Sequence, residues 1–244
     1  MEAMIFAAGL GTRLQPLTNH IPKALVEVNG TTLLELCIRN IINHGFDRVI
    51  INVHHFGEQI IDFVANHSFD AEIVISDERQ LLLDTGGGLK KASQLLVQES
   101  PLLIHNVDVL SGIDLSDLYR RHYQSGAIAT VAVAERNTSR YLLFDTEDNL
   151  AGWTNRKTDE TIWASPKQKD NVVPLAFSGI HVISRQLTDR LPPAAPYPII
   201  PQYIAMARHS NIKAYKHNAE EWMDVGKPDT LATANNFANK HNIN

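Results

Sequence analysis

Hydrophobic and polar positions along the chain alternate between two periods. "AMIFAA" is an unbroken apolar run closed by Gly9, the pattern of a strand buried on both faces. "TTLLELCIRNIINHG" then places Leu34, Ile38, Ile41 and Ile42 at helical spacing, with Gly45 as the stop. The same rhythm continues through strand "DRVIINV", helix "GEQIIDFVANH", strand "AEIVIS", helix "GGGLKKASQLLVQ" and strand "PLLIHNV". Strands separated by helix-length segments predict right-handed crossovers and a sheet covered by helices on both faces. After "DLSDLYRRHYQSG" the pattern changes, because "AIATVAVAE", "RYLLFD" and "NLAGWT" are strand-like and joined by turns, as in an antiparallel ribbon. The strand-like "VPLAFSGIHVIS", the helix-like "YIAMARHS", the strand "NIKAYKH" and the helix "DTLATANNFANK" follow; "LPPAAPYPIIP" reads as a surface loop. The prediction is an α/β fold, a Rossmann-like three-layer sandwich with a mostly parallel mixed sheet, in a single domain over 1–244.

Composition narrows the chemistry. With 44% hydrophobic residues among 244, the chain can bury a substantial core. Its 22 Lys and Arg against 27 Asp and Glu leave a formal charge of -5, so no global field holds a nucleic acid or an acidic membrane. Any phosphate chemistry rests on a few placed cations. The single Cys37 excludes an internal disulfide and a thiolate metal cluster. No apolar stretch approaches the roughly 18 to 20 residues of a membrane span, and the expected location is cytoplasmic.

The candidate chemistry is concentrated in "AAGLGTRLQPLTNHIPK". Ligands of open parallel sheets bind beyond the carboxyl ends of the strands, where a glycine turn lets backbone N–H groups approach phosphate oxygens. Gly9, Gly11 and Thr12 form such a turn, although it is neither the dinucleotide fingerprint nor a P-loop. Arg13 offers a forked guanidinium, and Lys23 offers a point charge on a proline-stiffened loop. A surface turn with incidental charges is the competing reading. Gly86 and Gly87, at a strand-to-helix junction, suit close backbone contact with a ligand. Asn106 stands two residues before Asp108, so strand alternation aims both to one side. Ser178 and Gly179 interrupt an apolar strand, as a sugar-site lining or a β-bulge would. His54 and His55 have no partner at metal spacing, and "DTEDNLAG" reads as a hairpin turn. Arg140, Trp153 and Arg156 could meet a sugar or an acidic substituent on it, though a structural role is the favoured reading for each.

The pattern A-A-G-x-G-T-R-[LM]-x-P-L-T followed by P-K resembles the signature of the sugar-1-phosphate nucleotidyltransferases. It is met at a dozen positions from Ala7 to Lys23, and the resemblance extends through "DTGGGL", "NVDVL", "FSGIHVI" and "WMDVGKPD". The resemblance implies transfer of a nucleotidyl group from a nucleoside triphosphate to a sugar 1-phosphate with release of pyrophosphate. It implies that Gly9, Gly11, Thr12 and Arg13 hold the triphosphate and that Lys23 contacts the phosphate being transferred. Gly86 and Gly87 would face the base and ribose. Asp108 and Asp224 would bind Mg²⁺, an ion that usually takes one or two protein carboxylates and otherwise substrate oxygens. The family's Gly-Asp is Val107-Asp108 here, which leaves open a changed acceptor or a loss of activity. The acid before Thr-Gly-Gly-Gly resembles the N-acetylmuramate-1-phosphate uridylyltransferases more than the guanylyl and thymidylyl enzymes. Expected substrates are therefore UTP and N-acetylmuramic acid 1-phosphate. The alternatives are a mannose or heptose 1-phosphate guanylyltransferase, a glycosyltransferase using a nucleotide sugar, and an inactive nucleotide-sugar-binding regulator.

Overall fold

A computed structural model describes residues 1–165, 171–241 and 243. The chain opens with β1 (Glu2–Phe6), the glycine loop, and a small hairpin of β2 (Glu27–Val28) and β3 (Thr31–Thr32). Then come α1 (Leu33–Asn43), β4 (Arg48–Val53), α2 (Gly57–Ala65), β5 (Glu72–Asp77), α3 (Asp84–Ala92), β6 (Leu102–Asn106), β7 (Val109–Ser111) and α4 (Leu115–Ser125). The second half holds β8 (Ala129–Ala134), β9 (Arg140–Phe144), β10 (Leu150–Asn155), β11 (Glu160–Trp163) and β12 (Val173–Ile183). It closes with α5 (Arg185–Arg190), α6 (Ile199–Met206), β13 (Ile212–Lys216), β14 (Trp222–Asp224) and α7 (Pro228–Lys240).

The main sheet runs β11-β10-β9-β12-β6-β1-β4-β5, with β8 paired to β12 and β13. Strands β6, β1, β4 and β5 are parallel, and β12 lies antiparallel to β6, β8 and β9. The α/β sandwich is the one expected. Its antiparallel half is as extensive as the parallel one, because the 11-residue β12 is long enough to seat β9 on its first residues and β6 and β8 on its last.

Alternation along β1 explains the three layers. Ala3 and Ile5 enter the core beneath α1, α2 and α4, whereas Met4 enters the core beneath α3, α5 and α6. All three are fully buried, so the strand needs apolar residues at every position. A third cluster joins Leu14 of the glycine loop, Val28, Leu36, Val225 and Ala234 of α7. That cluster anchors the loop and the late segment around Val225 to the same body. At the opposite end of the sheet, Arg48 bridges the buried Glu2 at 2.6 Å and Glu72 at 2.9 Å.

Two boundaries differ from the expectation. The glycines of "DTGGG" lie inside α3 and not ahead of it, and the proline-rich stretch contains the start of α6, whose Pro201 sits in the first turn where its missing N–H costs nothing.

Candidate active site

Local hydrogen bonds set the glycine loop. As β1 ends, the Ala7 amide donates to Asn52 Oδ1 at 2.8 Å. Gly11 takes a left-handed φ of 68°, and its carbonyl accepts from Leu14 N at 2.9 Å and Thr18 Oγ1 at 2.7 Å. With Leu14 buried, residues 9–13 arch over a cavity of about 570 Å³ at the carboxyl ends of β1, β4 and β6. Gly9, Gly11, Thr12, Arg13 and Lys23 all line it, beside Asp84, Thr85 and Asn106.

Beneath the loop lies a network that the sequence reading missed. Asn52 Nδ2 donates to Glu78 Oε1 at 2.8 Å, and Glu78 Oε2 accepts from Leu83 N at 3.1 Å. Burial raises the Glu78 pKa above the usual carboxylate range. The chain of bonds ties the loop to the wall at Leu83. Its visible signal was an asparagine at the end of an apolar strand and an acid just after another.

The charged centre comes from four distant segments. Strand β14 pairs with β7, setting Asp224 opposite Val109, and Val225 N donates to Asp108 O at 2.8 Å. Two aspartates more than one hundred positions apart therefore flank one point. Lys23, nearly buried, pairs with Asp108; Arg13 lies 3.7 Å from Asp108 and 3.5 Å from Asp224. Gly226 N donates to Asp224 Oδ1 at 2.7 Å, and a Cβ at Gly226 would sit 2.5 to 2.8 Å from Asp224, Arg13 and Lys23. Two cations and two carboxylates thus neutralise one another, and an arriving polyanion with a cation can exchange these partners. Among the described residues no group of three or more His, Cys, Asp or Glu could hold a metal alone. A pair of hard carboxylate oxygens nonetheless fits a Mg²⁺ ion that completes its shell with phosphate and water oxygens.

A second cavity of about 300 Å³ adjoins the first and shares Arg13, Asn106 and Asp108 with it. Gly179 has a φ of 73° at the register shift of β12, and a Cβ there would meet Asn106 Nδ2 at 2.7 Å. The bulge and the cavity lining are therefore one feature: the missing side chain makes room for Asn106. Ser178 lines the cavity, but its hydroxyl lies 2.7 Å from His217 Nε2 and its carbonyl accepts from Trp222 Nε1 at 2.7 Å. Arg140 and Trp153 reach the same cavity, while Arg156 stacks on the Tyr141 ring. Arg136, which the sequence reading passed over, stacks on Trp222 at 3.7 Å. Val107 is buried against the main core and lines the first cavity, not the second.

Gly86 and Gly87 pack against another segment of the chain. Both amides donate to Tyr197 O, and added Cβ atoms would meet the Tyr197 ring at 2.4 Å and Ala195 O at 1.9 Å. The close approach they permit is that of residues 195–197, and neither glycine lines the cavity. Asp84 and Thr85 do so instead.

Comparison with known proteins decides the family, because the model described as nucleotidyl transferase matches residues 2–241. The chain belongs to the sugar-1-phosphate nucleotidyltransferases. This nucleotidyltransferase is 32% identical to the N-acetylmuramate alpha-1-phosphate uridylyltransferase of Caulobacter vibrioides, over 95% of this chain and 94% of that protein. It is 28% identical to the mannose-1-phosphate guanyltransferase beta-A of Xenopus laevis, over 96% of this chain but 63% of the relative. The crystal structure of HddC from Yersinia pseudotuberculosis complexed with GMP-PN shares the fold, with a TM-score of 0.74 over 96% of this chain and 98% of that one at 19% identity. No helix of the described residues of this nucleotidyltransferase is long and apolar enough to cross a membrane.

Proposed function

We propose that the chain transfers a uridylyl group from UTP to N-acetylmuramic acid 1-phosphate, forming a nucleotide-diphosphate sugar and pyrophosphate with Mg²⁺ as cofactor. The observation that carries the reading is the meeting of Arg13, Lys23, Asp108 and Asp224 where two cavities join. One cavity suits a triphosphate under a glycine loop, and the other suits a sugar phosphate. The preference for uridine and muramate is supported by the near full-length match to the Caulobacter relative.

The acceptor phosphate oxygen attacks the α-phosphorus in line, and pyrophosphate leaves on the opposite side. Backbone amides at Gly9, Gly11 and Thr12, with Arg13, hold the β and γ phosphates, and Lys23 neutralises charge on the transferred phosphate. Asp108 and Asp224 would hold Mg²⁺, which when bound would neutralise phosphate charge. No covalent intermediate is required. The buried Cys37–His105 pair, 3.3 Å apart, is not a nucleophilic dyad, because burial pushes the thiol up and lowers the histidine to about 4, so neither is charged near neutrality.

Pyrophosphate release from four nucleoside triphosphates against several sugar 1-phosphates tests this. UTP with N-acetylmuramic acid 1-phosphate should turn over best. A preference for GTP with mannose or heptose 1-phosphate would overturn the substrate assignment and keep the reaction class; no pyrophosphate from any pair would favour a glycosyltransferase or a binding protein.

A further inference from the structure

The second cavity is lined by three arginines, Arg13, Arg136 and Arg140, against two carboxylates, Asp108 and Asp224. Arg136 follows β8 and places its guanidinium carbon over the Trp222 ring, 3.7 Å from the centroid. One terminal nitrogen donates to Phe177 O, while Nε is buried with no partner. Arg136 makes no ion pair within 4 Å among the described residues; burial lowers its pKa, and the nearby Asp224 charge only partly offsets that. Arg140 lines the same cavity from the start of β9, and its side chain is also unpaired among the described residues. The acids of this cavity are committed elsewhere, Asp108 to Lys23 and Arg13, and Asp224 to Arg13 and Gly226 N.

A desolvated cation with an unsatisfied donor is costly to maintain, and a substrate cavity retains one where the substrate brings the missing anion. The acceptor's own phosphate belongs at the other end of the cavity, with Asp224 and Arg13. Trp222 and Asp224 are two residues apart on β14, so they face one side about 7 Å apart, roughly the span of a sugar ring with a substituent. An anion resting on Arg136 therefore sits on the far side of the sugar from the reacting phosphate. Arg also suits a carboxylate geometrically, since its fork donates two parallel bonds.

We propose that Arg136, with Arg140 on the same cavity, receives a carboxylate carried by the acceptor sugar and so selects acidic sugar 1-phosphates over neutral ones. The inference rests on the transfer reaction proposed above and adds the residues that read the acceptor.

The experiment compares matched acceptors that differ in the acidic group: N-acetylmuramic acid 1-phosphate against N-acetylglucosamine 1-phosphate, and glucuronic acid 1-phosphate against glucose 1-phosphate. Each is assayed with wild type, Arg136→Gln, Arg136→Lys and Arg140→Gln. In Arg136→Gln the KM for the acidic acceptors should rise roughly 10-fold to 100-fold, the loss of a charge-assisted hydrogen bond, with KM for the neutral acceptors changed less than about twofold. Arg136→Lys should recover only part, because the fork is lost. Equal losses for acidic and neutral acceptors would assign the guanidinium to the phosphate and overturn the proposal, as would wild-type preference for the neutral acceptors. If Arg136→Gln fails to fold, the wild-type preference and a smaller acid-selective loss in Arg140→Gln decide the matter. If no pair releases pyrophosphate, the reaction class fails on its own; calorimetric Kd values for the same acceptors then support the proposal if acid binding depends on Arg136 and overturn it if it does not.

Discussion

Asp108 and Asp224 should fail in the same way when changed, although nothing in their local sequence connects them. Removing either carboxylate removes an interaction made chiefly as charge develops on the transferred phosphate, so kcat should fall more than binding weakens. By analogy with single oxyanion donors, the fall expected for either Asp→Ala change is roughly 10²-fold to 10³-fold, and the double variant should be little worse than the worse single. EDTA should abolish turnover and added Mg²⁺ restore it; normal turnover by Asp224→Ala would exclude the paired site. Gly226→Ala is a subtler case. Its Cβ would press on the mobile ends of Arg13 and Lys23 and on Asp224, so the fold can yield while the charges are displaced. A misplacement of about 1 Å can cost on the order of 10²-fold in rate, and we expect kcat/KM to drop by about that much with an unchanged urea midpoint. Loss of stability in step with activity would argue for a packing role alone.

Single elements show which parts of the molecule could be read from the sequence. Strand β1 was legible because every residue from Ala3 to Ile5 is buried, and α1 because Leu34, Ile38 and Ile41 form one apolar stripe under a Thr32 cap whose hydroxyl accepts from Glu35 N. Strand β14 was not, since three residues have no period and are held by pairing to β7. The glycine loop carried its candidate chemistry in its own residues. Glu78, Arg136 and the role of Trp222 did not, because each acquires meaning only from partners on other elements. Helix α3 carries a constraint the sequence did not reveal, since its glycines also admit the close approach of residues 195–197. Gly87→Ala should lower unfolding free energy by about 1 to 3 kcal/mol in urea titrations, the usual cost of overpacking, because Ala195 O stands in the way. A raised KM for the triphosphate with unchanged stability would instead return that glycine to the nucleotide.

For the whole molecule, buried histidines link stability to pH. His122 is held between Thr130 and Ser184 and burial lowers it to about 4; His181, tilted against Phe177 and edge-to-face with Tyr203, is lowered by burial to about 3. Below an unfolded value near 6.5 the unfolded chain takes up protons that the native state refuses, so stability is complete above about pH 7 and declines as pH falls towards 4. Each such histidine contributes a slope of about 1.4 kcal/mol per pH unit in that window, and His122→Gln should make the fall in urea midpoint shallower. A midpoint independent of pH between 7 and 4.5 would contradict this. The two cavities also draw on separate stretches of chain. Residues 6–13, Lys23, Asn52, Leu82 and Asp84 build one; the ribbon from Arg136 to Trp153 and the bend of β12 build much of the other, and among the described residues only Arg13, Asn106 and Asp108 serve both. On the proposed reading the molecule is a socket whose donor half and acceptor half come from different segments, so grafting a different ribbon should present a new acceptor to the same donor half.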